Sequence, residues 1–191
     1  MTTGMRIRTF VLQIGLIGIF AFISVLALAA GSFVHGMIHD QLTAQQIYFP
    51  AAGSAALPAG EFADLQQYGG QQVDNGIKAQ AYANGFIGRH LATVAGGKTY
   101  SQVSALAQAN PTDPKLQGQV ATLFKGETLR GLLLNTYGWW TMGSYAIYAG
   151  YGLALAAAAV LVALLVEIYL AIRARETATT PVPSRKLAHQ A

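Results

Sequence analysis

The stretch from Phe124 to Ile172, FKGETLRGLLLNTYGWWTMGSYAIYAGYGLALAAAAVLVALLVEIYLAI, decides how the chain is read. It opens on Lys125, Glu127 and Arg130, passes an aromatic collar at Tyr137, Trp139 and Trp140, and then turns apolar. No Asp, Glu, Lys or Arg occurs between Gly131 and Val166. A helix needs only about 20 apolar residues to cross a bilayer core, so this stretch is a membrane span. Trp and Tyr favour the headgroup zone. Trp139, Trp140, Tyr145, Tyr148 and Tyr151 therefore mark one interface, and Arg173 with Arg175 the other.

Working outward, Phe10 to Val34 is equally free of charge, follows a short leader carrying Arg6 and Arg8, and is long enough for a second crossing. Ala27-Leu28-Ala29 resembles a signal-peptide cleavage site. The apolar run is longer than the roughly 7 to 15 residues of a signal-peptide core, however, so it is read as a retained anchor. Composition agrees with two spans: 53% of the 191 residues are hydrophobic and 10% charged, against about 25% charged in soluble domains.

The net charge of +4 is carried by Arg6, Arg8, Arg173, Arg175, Arg185 and Lys186 against Glu167 and Glu176. The region 35–140 holds six basic and six acidic residues and nets zero. A net basic excess confined to membrane flanks speaks for topology and anionic lipid, and against a nucleic-acid surface. With no cysteine, disulfides, thiolate metal sites and thiol nucleophiles are excluded.

The fold class expected is an all-α membrane protein, two transmembrane helices flanking a mainly helical extracytoplasmic domain. Its parts are a cytoplasmic leader 1–9, a transmembrane helix 10–34, the extracytoplasmic domain 35–140, a second transmembrane helix 141–172 and a disordered basic cytoplasmic tail 173–191. The four arginines near the outer ends of the spans place both termini in the cytoplasm.

Within the domain, His35 to Tyr48 extends the first helix, and Pro50 to Gly60 reads as a linker with at most a helical turn before Tyr68-Gly69-Gly70. Asp74 or Asn75 can cap a helix running to Ala95, stopped by Gly96-Gly97. Its apolar seam is expected at Ile77, Ala81, Ile87, Leu91 and Val94, interrupted by Asn84. Thr99 or Ser101 starts a shorter helix ended by Pro111, and Asp113-Pro114 starts the next, which bears the stripe Leu116, Val120, Leu123 and Phe124 and runs into the second span. No segment alternates with period two for long enough to make a strand.

Few residues suggest chemistry. His35 and His39 share a helix face at a spacing that can seat a metal, with Asp40 beside them, but the set lacks a third ligand unless the fold brings in His90. Arg130 can pair with Glu127 or, at headgroup level with Trp139 and Trp140, grip a lipid phosphate or a partner carboxylate. Glu167 lies inside the inner end of the second span, close enough to Arg173 for its side chain to reach the interface. Ala146, Gly150, Ala154 and Ala158 form a small-residue seam suited to helix packing, and Ala27 and Gly31 offer a matching point of approach.

Gly96-Gly97-Lys98-Thr99 has the tail of a phosphate loop, but Ala92 stands where its first glycine belongs. G-x-S-x-G, H-E-x-x-H and paired-carboxylate patterns are all missing, so hydrolase and metalloprotease readings lack their first requirement. No catalytic residue and no cofactor is expected.

Ile47-Tyr48-Phe49-Pro50, the run Gly70-Gln71-Gln72-Val73 with Ala79-Gln80-Ala81-Tyr82, Gly96 to Ser101, and Gly126 to Trp140 together resemble segments of small, uncharacterised two-span membrane proteins of actinobacteria. The resemblance covers most of the loop and the start of the second span. It implies no activity and transfers no functional residue. Some such proteins are labelled ring-opening dioxygenases, but an iron-binding two-His-one-carboxylate set would here have to come from His35, His39 and Asp40 on one helix.

The function expected is that of a non-enzymatic accessory protein of a bacterial inner membrane, a helical hairpin binding a membrane partner or a second copy of itself. The alternative is an extracytoplasmic ligand-binding or sensory module. Because the residues after Arg173 are too few for a signalling domain, that module would act through a separate output protein.

Overall fold

The computed structural model describes residues 3–178, and every regular element among them is helical. Two helices are long and apolar enough to cross a membrane: α1 (Thr3–Gln45) and α5 (Pro114–Ala178). Between them lie a 3-10 turn (Ala63–Tyr68), α2 (Gly76–Gln80), a π-helical segment (Ala81–Ile87), α3 (Gly88–Ala95) and α4 (Tyr100–Ala109). Helix α1 takes in most of the expected leader, and α5 continues past Ile172 to Ala178, so the first residues of the expected disordered tail are helical. The rest of that tail, with Arg185 and Lys186, lies outside the described residues.

Local chemistry explains where the helices begin and end. Asn75 accepts a hydrogen bond from the Lys78 backbone N–H and so caps α2. Thr99 and Gln102 form a reciprocal capping box on α4. Asp113 accepts from the Lys115 and Leu116 N–H groups ahead of Pro114, whose missing N–H costs nothing at a first helical position. Helix α3 stops where Gly96 turns left-handed at φ 58°, letting the Gly97 N–H reach back to the Ala92 carbonyl at 2.8 Å.

The chain divides into two compact units, Met1–Leu26 with Ala149–Ala191 and Ala27–Tyr148. The described part of the first is two helical segments joined by polar contacts: Ser24 Oγ donates to the Gly150 carbonyl at 2.8 Å, and Gln13 Nε2 donates to Glu167 Oε1 at 3.2 Å. Phe22, Val25, Leu155 and Val162 are exposed on its outside.

The second unit has the conventional core. Leu42, Phe49, Leu57, Phe62, Val73, Val103 and Leu123 are fully buried, each stabilising the fold by about 1.5 to 3 kcal/mol relative to exposure. The irregular segment 46–75 satisfies its backbone by pairing with itself. Val73 N–H donates to the Ile47 carbonyl and Phe49 N–H to the Gln71 carbonyl, an antiparallel bridge centred on Tyr48 and Gln72 and too short for a strand. Gln66 ties the loop together, accepting from the Gly53 N–H and donating to the Leu57 and Phe62 carbonyls.

Residues 76–95 run antiparallel along α5. A Cβ on Gly76 would strike Trp140, one on Gly126 would strike Leu91, and Gln119 donates to the Val94 carbonyl. Beyond Gly76, the buried positions of this run are Ala79, Ala83, Ile87, Leu91 and Ala95, whereas Ile77 and Val94 of the expected seam are exposed. A spacing of four drifts by about 40° per step in a regular α-helix. The wider turn of the π segment counters that drift and keeps one face on the core.

Candidate functional site

In each unit α1 and α5 pack along a narrow seam, and the candidate site is the seam of the second unit. In the first unit Gly150, Ala157 and Leu164 of α5 are buried at intervals of seven residues, with Ser24 of α1 bonded to Gly150; in the second, Gly31 and Ile38 of α1 are buried seven residues apart, with Gly143 of α5 against Gly31. That is the repeat of a coiled-coil seam. Gly31 and Gly143 bring the backbones together: a Cβ on Gly31 would lie 2.5 Å from the Gly143 carbonyl oxygen. Gly31 thus marks a point of close approach, with Gly143 against it. Gly150 alone of Ala146, Gly150, Ala154 and Ala158 is buried, Ala146 being partly covered and Ala154 and Ala158 exposed. A stripe at spacing four winds away from a seam that repeats every seven residues.

Within the second unit, His35 reaches across this seam. Its Nε2 lies 2.9 Å from the Trp140 carbonyl oxygen and 3.1 Å from Ser144 Oγ. A carbonyl only accepts, so Nε2 carries the proton in this bond. His39 instead points its Nδ1 at the Asp74 carbonyl, 3.0 Å away. His90 caps an aromatic cluster, its ring between Phe62 and Phe86. The histidines are thus held by separate protein partners, and among the described residues no group of three metal-ligating side chains forms.

Arg130 is shared between two elements. Its Nη1 bonds Glu127 Oε2 at 3.2 Å, and its Nε and Nη2 both donate to Asn84 Oδ1. Asn84, the interruption in the expected seam, thus makes a polar tie between the π segment and α5. Trp139 and Trp140, expected side by side at the lipid surface, part company, because successive helical residues point about 100° apart. Trp139 is 60% exposed. Trp140 turns inward beside His35 and under Gly76.

Also within the second unit, a groove of about 310 Å³ opens between α1 and α5, lined by Val34, Met37, Ile38, Gln41, Leu42, Gln45, Asn135, Thr136 and Trp139. Sequence reasoning singled out only Trp139 here. The available signal was polar residues at helical spacing, Gln41 and Gln45 past the end of the first apolar run and Asn135 and Thr136 inside the second.

Away from the seam, Arg89 makes a bidentate pair with Asp64, both contacts at 2.8 Å, and covers the Phe62 ring at 5.4 Å. Hydrogen bonding from Arg89 holds the Asp64 carboxyl below the usual carboxylate range. Burial among Phe49 and Phe86 pushes the Tyr82 hydroxyl up.

Comparison of the chain with family models, curated proteins and solved structures finds no match.

Proposed function

We propose that the chain is a non-enzymatic integral protein of a bacterial inner membrane, in which the α1–α5 hairpin anchors an extracytoplasmic helical domain and docks on a membrane partner or a second copy of itself. One observation carries the reading: away from their narrow seam, both long helices are apolar on their exposed sides, with Val11, Phe22, Val25, Phe33, Tyr148, Leu155 and Val162 uncovered. A helix that is hydrophobic all round belongs either in a protein core or in lipid, and these side chains have no core. Arg6, Arg8, Arg173 and Arg175, which flank the two charge-free runs in the sequence, favour cytoplasmic termini.

Docking is supported by Ala154 and Ala158, small residues left uncovered by the hairpin itself. The test is purification of the full chain in mild detergent. A stoichiometric second copy or membrane partner is expected, and Ala154→Leu with Ala158→Leu should release it without unfolding the hairpin. A chain that purifies alone at every detergent concentration would contradict the docking role.

A further inference from the structure

We propose that the groove between α1 and α5 is a lipid site, holding the glycerol-ester and headgroup region of one outer-leaflet lipid without preference for negative charge. The inference rests on the membrane-hairpin reading above and assigns a ligand class to it. The groove has a polarity gradient, and both helices contribute to it in the same sense. On α1 the apolar Met37 precedes Gln41 and Gln45; on α5, which runs the other way, Asn135 and Thr136 precede Trp139. The apolar end thus continues into the charge-free runs of both helices, while the amides lie at the end turned away from them.

Chemistry narrows the occupant. The side-chain amides of Gln41, Gln45 and Asn135 are exposed and bond no other described residue. Each offers both donors and an acceptor, which suits ester carbonyls and hydroxyls. No Lys, Arg, His, Asp or Glu lines the groove, so an anionic phosphate gains no counter-charge there, unlike at basic lipid sites. A volume of about 310 Å³ is at the small end of ligand pockets, generally about 300–1,000 Å³. It has room for the polar part of a lipid whose tails remain in the bilayer. An incoming helix, about 10 Å across, would sit on the rim instead.

The test uses the full chain reconstituted in vesicles of equimolar phosphatidylethanolamine and phosphatidylglycerol, with photoreactive p-benzoylphenylalanine replacing Gln41 or, as the control, Asp40. Asp40 is exposed at nearly the same height but outside the groove. Irradiation should give a lipid adduct several-fold stronger at position 41 than at 40, with both lipids represented, and Gln45→Leu with Asn135→Leu should weaken it. Equal labelling at the two positions, adducts with phosphatidylglycerol alone, or adducts with protein at position 41 would overturn the proposal. Alkaline carbonate extraction separates the two failures: a chain that stays in the membrane without the adduct refutes the groove alone, and a chain that is washed out refutes the hairpin as well.

Discussion

The imidazole of His35 lies flat on the indole of Trp140, ring centroids 3.7 Å apart and planes within 1°, while its Nε2 bonds the carbonyl of the same tryptophan. One residue of α1 therefore grips both the side chain and the backbone of one residue of α5. Trp140 also supports the first residue of α2, Gly76, where any side chain would collide with the ring. The seam and the small domain meet at this tryptophan.

It follows that the two adjacent tryptophans differ in their contribution to stability. Trp140→Ala should cost about 2 to 3 kcal/mol, less than for a fully buried ring because Trp140 is half-covered, and His35→Ala about 1 to 2 kcal/mol. Trp139→Ala, on an exposed position, should leave thermal unfolding in detergent nearly unchanged. Equal losses at 139 and 140 would contradict the inward placement of Trp140.

Gly31 makes the sharpest packing demand in the hairpin. A side chain there meets the Gly143 backbone, which cannot swing aside, so Gly31→Leu should destabilise by about 1 to 3 kcal/mol. Gly18→Leu, where nothing lies within 4 Å of the added Cβ, is the matched control and should be neutral. Cross-linking between α1 and α5 and thermal unfolding together check the contrast.

Gln46 ends α1 in the left-handed region, φ 53°, the one non-glycine among the described residues to do so. That conformation costs an L-residue about 1 to 2 kcal/mol, part of which glycine recovers before its larger unfolded-state entropy offsets the gain. Gln46→Gly should therefore stabilise by about 0.5 kcal/mol. A loss of stability would mean that the Gln46 side chain makes a contact worth more than the strain.

How far the sequence discloses this structure depends on the range of the forces involved. The caps at Asn75, Thr99 and Asp113, the stop at Gly96 and the two long apolar helices were legible, because each depends on residues within one turn or on plain length. The register of the seam was not. Spacing four and spacing seven both pass through Gly150, and only the burial of Ala157 and Leu164 on the side of the Ser24–Gly150 bond chooses between them. The π segment escaped for a similar reason: Asn84 interrupts the apolar stripe locally, and the Arg130 side chain that bonds it lies 46 residues on. The groove escaped because its amides come from two helices far apart in sequence.

Acid should expose the Asp64–Arg89 pair. The folded-state pKa of Asp64 is lowered from its usual 3.8, so the pair stabilises the fold above that value and its contribution is lost as pH falls through the lower folded value. The pair is largely solvent-exposed, which limits its worth to below about 1 kcal/mol. Asp64→Asn should be slightly less stable than the parent at neutral pH, with the gap closing well below pH 3.8. A gap that widens in acid would show that the carboxyl is not held down by Arg89.

The most direct test of the two-span hairpin uses the absence of cysteine from the chain. Single cysteines at Ala55, exposed in the loop, and at Gly4, with open space around it, can be probed with a membrane-impermeant maleimide in intact bacterial cells. The account predicts that Ala55→Cys is labelled at once and Gly4→Cys only after the cells are permeabilised. Equal labelling of both positions before permeabilisation, or of neither, would contradict it.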